Sequence, residues 1–279
     1  MRPGGSECGW HFRQSGFICG GMKSLVTTLL TVGCALAAAA QIHTETIEYR
    51  DGDTVLEGYL AYDASIQGKR PGVLIVHQWK GLTDYEMKRA EMLAKLGYNV
   101  FALDIYGKGI RPKSPQEAGA QAGKYKNNRA LLRARAQAGL AVLQAHALTD
   151  PRRVAAIGYC FGGTTVIELA RSGADIAGVV SFHGGLDSPH SEDGKSIKCK
   201  VLALHGADDP HVPAKDLAAF EDEMRQAKVD WELVKYGGAV HSFTDWNAGN
   251  NVAQGVAYNE KADKRSWEAM RQFFAEMFK

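Results

Sequence analysis

The sequence predicts an α/β fold: a mostly parallel β-sheet flanked by helices, with an antiparallel N-terminal hairpin at one edge. Three observations predict it. Short apolar runs of strand length alternate with longer segments of helical spacing from residue 72 to the end. Those runs are continuously apolar, as strands covered on both faces are. Ahead of them, two alternating segments are split by Asp51-Gly52-Asp53, a hairpin signal.

The elements follow in order. Thr44–Arg50 and Thr54–Tyr62 are the hairpin strands. Gly72–Val76 is a buried strand, and Tyr85–Leu96 a helix that stops at Gly97. Asn99–Leu103 is the next strand. Gly107–Gly123, rich in Gly, Pro and Lys, is expected to be a long loop, with Lys108–Gly123 lying over the pocket as a lid. Asn127–His146 has helical spacing, with Arg129, Arg133 and Arg135 on its solvated side. Val154–Ile157 is a strand and Gly162–Arg171 a helix. Strands Ile176–Phe182 and Val201–His205 lead to helix Lys215–Ala227, strand Trp231–Tyr236 and a closing helix, Ala262–Phe278. No repeat or linker interrupts the series, so residues 41–279 are expected to be one domain.

The first forty residues read as a targeting segment. Met22-Lys23-Ser24 precedes the apolar run Leu25–Leu36 and a stretch of four alanines ending at Ala40. That is the order of a secretory signal: charged start, short apolar middle, small residues for cleavage. The run is too short to span a bilayer, so no stable membrane insertion is expected after cleavage. Residues 1–21 lack this logic, and Met22 is the expected start. Leu30-Thr31-Val32-Gly33-Cys34 loosely resembles a lipobox acylated at Cys34, but Thr31 fits its position poorly. Ordinary cleavage near Ala40 predicts a secreted or periplasmic protein.

Composition bounds the function. Of 279 residues, 45% are hydrophobic and 23% charged, which excludes disordered and fibrous classes. The part after Ala40 balances 30 basic against 30 acidic residues with no dense basic stripe, so nucleic acid is not an expected partner. Two cysteines remain there, Cys160 and Cys199. A disulfide between them stays open, but an exported disulfide framework keeps more.

Gly158-Tyr159-Cys160-Phe161-Gly162 stands between a strand and a helix. A residue at the centre of such a turn projects clear of the sheet, and the glycines let strand and helix approach closely. The helix N-terminus favours a thiolate. A nucleophile needs a base and an orienting acid, in the order nucleophile, acid, His. Asp208 and Asp209 both follow the strand ending at His205, where an orienting carboxylate belongs. His241, after strand Trp231–Tyr236, is the best base among nine histidines. His77 and His205 end strands and are expected to satisfy backbone or loop groups. His183 is expected to line the pocket, and His43, His190 and His211 to lie at the surface. The loop after Val76 supplies a second oxyanion donor, so the backbone N–H groups of Trp79 and Phe161 are the expected hole.

These residues resemble the dienelactone hydrolase family of the α/β-hydrolase superfamily. The resemblance rests on His77-Gln78-Trp79-Lys80-Gly81-Leu82, Asp104-Ile105-Tyr106-Gly107, Gly158 to Gly163, His205-Gly206 through Pro213, and Gly238 to Phe243. It implies hydrolysis of a small ester or lactone through an acyl-cysteine, with no metal and no other cofactor. Its D-x-x-V-P run selects Asp209 over Asp208, giving the triad Cys160, Asp209 and His241. Two departures stand out. The family usually carries Glu, which restrains the thiol, where this chain has Gln78. Without that carboxylate, Cys160 and His241 are expected to rest as a thiolate–imidazolium pair. Of the two arginines that hold a substrate carboxylate, one is replaced by Asp245 and the other falls near Lys108, so a neutral substrate is expected. Tyr106, Tyr125, Tyr159, Phe243 and Trp246 are expected walls of an apolar pocket. The rival from another class is an exported thiol that binds electrophiles or senses redox state without turnover.

Overall fold

The computed structural model describes residues 40–279, with Gly16 in isolation. The expected leader lies outside the described residues except for Ala40, and Cys34 lies outside them altogether. Among the described residues no helix is long and apolar enough to cross a membrane.

The chain builds an eight-stranded sheet. β1 (Ile42–Asp51) and β2 (Thr54–Asp63) form the hairpin, paired antiparallel over their full length. β3 (Arg70–Val76), β4 (Asn99–Leu103), β5 (Thr149–Tyr159), β6 (Gly178–Phe182), β7 (Lys200–Gly206) and β8 (Trp231–Tyr236) are mutually parallel. The strand order is β1-β2-β4-β3-β5-β6-β7-β8, with β2 antiparallel to β4. The order reverses around β3 and β5, and the carboxyl ends of these two strands frame the crevice where α/β sheets place ligands.

Among the described residues six α-helices cover the sheet: α1 (Asp84–Ala94), α2 (Pro115–Lys126), α3 (Arg129–Ala145), α4 (Phe161–Arg171), α5 (Ala214–Ala227) and α6 (Glu260–Met277). Leu132, Ala136, Val166 and Phe220 from α3, α4 and α5 pack one face. Leu93, Ala94, Met270 and Phe274 from α1 and α6 pack the other. Side chains alternate across each strand: Leu74 and Val76 join the first cluster, Val73 and Ile75 the second, all fully buried. This is the α/β-hydrolase architecture.

The expected long loop is corrected in part. Residues 115–126 form α2, started by Pro115 at the first turn and by Ser114, whose hydroxyl accepts the Glu117 N–H. Ala118, Ala122 and Tyr125, at helical spacing, are buried and hold it down. β5 is also longer than expected, because Thr149 and Asp150 already pair with Arg70 and Pro71. Cys160 and Cys199 are both free thiols.

Candidate active site

β5 runs into α4 through a turn too tight for side chains at its flanks. A Cβ on Gly158 would lie 2.0 Å from the Gly162 carbonyl oxygen, and one on Gly162 would lie 2.2 Å from that of Val76. Cys160, between them, is forced to φ 56°, ψ −116°. A non-glycine residue there stores ~1–3 kcal/mol of strain. The half-buried thiol consequently stands at the N-terminus of α4 over the sheet's carboxyl edge.

Two loops bring partners to it. After β7, Asp209 Oδ1 accepts the His211 N–H at 2.8 Å, and its Oδ2 faces His241 Nδ1 at 2.8 Å. Asp208 instead accepts the Gly238 N–H at 2.9 Å. After β8, the His241 N–H donates to Gly255 and its carbonyl accepts from Ala257. His241 Nε2 lies 3.1 Å from Cys160 Sγ. Burial opposes charge on the Cys160 thiol, but His241 and the nearby N–H groups of Phe161 and Trp79 outweigh it and hold the thiol below its ordinary range. Burial likewise opposes charge on His241, but the Cys160 sulfur and Asp209 push its pKa up to about 10. The proton is thereby favoured on the imidazole and the charge on the sulfur. The N–H groups of Phe161 and Trp79 lie beside the sulfur.

Two buried histidines underlie this arrangement. The Cys160 N–H donates to His183 Nδ1 at 3.1 Å, and His183 Nε2 meets Thr244 Oγ1 at 2.8 Å. Tyr85 and Arg89 continue that chain at 2.7 Å and 3.2 Å. On the opposite side, His77 Nε2 accepts the Ile105 N–H at 3.1 Å while Nδ1 faces the Gln78 carbonyl at 2.6 Å.

Cys160 opens into a cavity of about 270 Å³ shared with Trp79, Phe161, His241 and Val212. A larger hollow of about 850 Å³ beside Arg129 and Asp187 contains no thiol and no part of this constellation. Among the described residues no group of His, Cys, Asp or Glu is arranged to hold a metal ion.

The family model for the dienelactone hydrolase family matches residues 56–278. The chain belongs to the dienelactone hydrolase family. A solved dienelactone hydrolase-like promiscuous phosphotriesterase, P91 from metagenomic libraries, is 41% identical, with a TM-score of 0.81 over 85% of this chain and 98% of that one. A Bradyrhizobium protein named as a probable 2-oxo-3-(5-oxofuran-2-ylidene)propanoate lactonase is 30% identical, over 72% of this chain and 86% of its own. A Synechocystis protein whose name proposes carboxymethylenebutenolidase activity is 26% identical, over 84% and 96%. The protein is a lactone or ester hydrolase of this family.

For this dienelactone hydrolase-family enzyme, the expected pocket walls need correction. None of Tyr106, Lys108, Tyr159, His183 and Phe243 lines the Cys160 cavity. Tyr159 is on the α1/α6 face, stacked on Phe182. Phe243 lies under His183 on that same face. Tyr106 sits behind Phe161, its hydroxyl donating to the Trp79 carbonyl at 2.9 Å. Lys108 is drawn away to Glu48 and Glu57 on the hairpin. Tyr125 stacks on Tyr106 and Trp246 packs against Tyr85, so neither is a wall. Gln78 does not reach the thiol either: its Nε2 donates to Asp245 Oδ2 at 3.1 Å.

Other residues take the walls. Lys126 and Ala122 come from α2, whose helical form the composition concealed. His211, exposed as expected, also lines the cavity and meets the His241 ring edge-on at 5.2 Å. Its position two residues past Asp209 was the available signal.

Proposed function

We propose that this enzyme cleaves small esters or lactones through a Cys160–His241–Asp209 triad and an acyl-cysteine intermediate. The observation that carries the reading is the line Cys160 Sγ, His241, Asp209 Oδ2, with contacts of 3.1 Å and 2.8 Å. Asp209 holds the His241 Nδ1–H tautomer and leaves Nε2 directed at the sulfur. The thiolate attacks the acyl carbonyl, and an S–C bond forms. The developing oxyanion falls to the N–H groups of Phe161 and Trp79. As the C–O bond breaks, His241 Nε2 gives its proton to the leaving oxygen, which stays tethered in a lactone.

Acylation removes the thiolate, the larger of the causes that raise His241. The imidazole of the acyl-enzyme, neutral after giving up its proton, is then less basic and takes a proton from the attacking water. Hydroxide adds to the thioester, the C–S bond breaks, and the acid departs. The same residue thus serves as acid and then as base, because the sulfur's charge controls its affinity for protons.

A cavity of about 270 Å³ lies at the lower limit of small-molecule pockets and suits a short acyl chain. A weakly basic leaving group, as in aryl esters and enol lactones, suits thiolate attack. The 41% identity to a protein named a promiscuous phosphotriesterase supports including an aryl phosphotriester in the substrate panel. The leader-like stretch from Met22 to about Ala40 supports export, and the N-terminal mass of protein recovered from a secreting host tests it.

The deciding experiment is p-nitrophenyl acetate hydrolysis by protein beginning at Gln41, wild type beside Cys160→Ser and His241→Ala. Sustained turnover lost in both variants is the expected result. One equivalent of nitrophenol, with the acyl group retained on Cys160, would replace hydrolysis by the electrophile-trapping alternative.

A further inference from the structure

The Gln78–Trp79 peptide is held by contacts at its carbonyl end, and its N–H end serves the site. Across a trans peptide the C=O and the following N–H point in opposite directions. Whatever fixes the Gln78 carbonyl therefore fixes the direction of the Trp79 N–H, which lies beside the Cys160 sulfur. The Gln78 carbonyl meets His77 Nδ1 at 2.6 Å and the Gly81 N–H at 3.2 Å.

The tautomer of His77 follows from its surroundings. The Ile105 N–H can only donate, so Nε2 of His77 is the acceptor and carries no proton. The neutral ring must then carry its proton on Nδ1, where it meets the carbonyl. His77 is fully buried between Tyr106 and Phe161. Burial pulls its pKa down to about 4, so one neutral tautomer persists across the working range of pH. The two flanking peptides are pinned independently. The Gln78 N–H donates to Glu86 Oε1 at 3.0 Å, and the Trp79 carbonyl accepts from Tyr106. The peptide between them depends on His77 and one turn contact.

We propose that His77 is a positioning residue for the oxyanion hole: its Nδ1–H clamps the Gln78 carbonyl and thereby aims the Trp79 N–H at the reacting oxygen. The proposal rests on the reading of Cys160 as nucleophile. His77 touches neither substrate nor sulfur; it acts through one peptide plane.

Three readouts test it. His77→Phe keeps the ring volume but has no donor. It is expected to lower kcat for p-nitrophenyl acetate by about 30-fold or more, toward the ~10²–10³ cost of a lost oxyanion donor, with little change in KM. It should weaken inhibition by an aryl trifluoromethyl ketone, whose hemithioketal oxyanion needs the hole, by a similar factor. His77→Asn, whose amide can donate from near the Nδ1 position, should restore most of the rate. A merely structural role would lower the melting temperature while leaving kcat per folded molecule and ketone affinity near wild type, which would overturn the proposal.

The third readout uses unaltered protein, so it survives a failure of either variant to fold. Nitrogen-15 spectra of the His77 ring should show Nδ1 protonated and Nε2 bare from pH 6 to 8. The opposite tautomer would overturn the proposal. Cys160→Ala is the control for the underlying reading. If it retains wild-type turnover, the nucleophile assignment falls first, and the role of His77 falls with it.

Discussion

Gln78 Nε2 donates to Asp245 Oδ2 at 3.1 Å, so two of the positions at which the family resemblance set this chain apart hold each other. The pairing keeps the Gln78 side chain turned away from Cys160. Gln78→Glu would set two carboxylates against each other and release the new one from the clasp. A carboxylate swinging toward the sulfur disfavours the thiolate. The pH midpoint of Cys160 alkylation by iodoacetamide is expected to rise by roughly one unit, which slows alkylation about tenfold only below that midpoint. Adding Asp245→Arg should draw the glutamate back and return the rate toward wild type. An alkylation rate unchanged by Gln78→Glu would show that position 78 serves only to tether the loop.

The Cys160–His241 pair predicts two different pH profiles. With the thiol held below its ordinary range and His241 raised to about 10, the thiolate forms at lower pH than an ordinary thiol does. The midpoint of the alkylation profile should therefore lie below that of an ordinary thiol, which loses about tenfold in rate per unit below its own pKa. His241→Ala should restore the ordinary midpoint. Cys199 should stay unlabelled, since burial pushes its thiol up to about 12. In the acyl-enzyme His241 loses the neighbouring thiolate, and deacylation needs its neutral form. Under deacylation-limited conditions kcat should accordingly rise with pH at a higher midpoint than the alkylation rate. Coincident midpoints would argue against a His241 whose basicity depends on the sulfur's charge.

What could be read from the sequence, and what could not, divides along physical lines. The turn at Cys160 was legible from its two glycines: a Cβ on Gly158 would lie 2.0 Å from Gly162 within the turn itself, although the 2.2 Å approach that requires Gly162 is to Val76 on the neighbouring strand β3. Parallel strands were legible because both faces are buried and the runs are continuously apolar. The cavity walls were not legible. Tyr159 and Phe243 are as apolar as any wall residue, but strand and loop direction turn them to the α1/α6 face. α2 was hidden by its glycines and Pro115, although proline at a first helical turn is favourable. Lys126 could not be placed without that helix. The Gln78–Asp245 contact joins residues 167 positions apart, beyond the reach of any local pattern.

The face behind the site depends on a buried ion network. Arg171 is fully buried and donates to Glu168 at 2.9 Å, to Glu223 at 2.9 Å and 2.5 Å, and to the carbonyls of Leu186 and Asp187. Arg133 provides Glu168 with a second partner. Arg171→Met should leave Glu223 buried without its cation and cost about 3–5 kcal/mol. For a domain of this size that lowers the melting temperature by roughly 10 °C or more. Glu223→Gln in the same background should recover part of the loss by removing the stranded charge. Hydrolysis per folded molecule should stay near wild type at 20 °C, since no member of the network touches Cys160. A variant as stable as wild type would mean that water reaches Glu223.

His183 offers the last test, because its backbone and its ring make separate demands. Its φ of 40° is in the region that favours Asn among non-glycine residues. Its Nδ1 shares the N–H of Cys160, itself held at φ 56°, with the Phe182 carbonyl at 3.0 Å, so ring and carbonyl together anchor a strained residue. Because Nδ1 accepts, Nε2 carries the proton and donates to Thr244 Oγ1. Burial, with His241 and Arg89 nearby, keeps this ring neutral by pulling its pKa well down. His183→Asn retains an acceptor near Nδ1 and tolerates the backbone, but loses the bond to Thr244. Thr244→Val loses that same bond and leaves the Cys160 acceptor in place. If anchoring Cys160 is what matters, both variants should acylate within about fivefold of wild type, while His183→Phe, lacking the acceptor, should lose about 1–3 kcal/mol of stability and more than tenfold in kcat/KM. Equal losses in all three would mean that the buried chain through Thr244, Tyr85 and Arg89 acts as one unit, with the Cys160 contact as only one of its members.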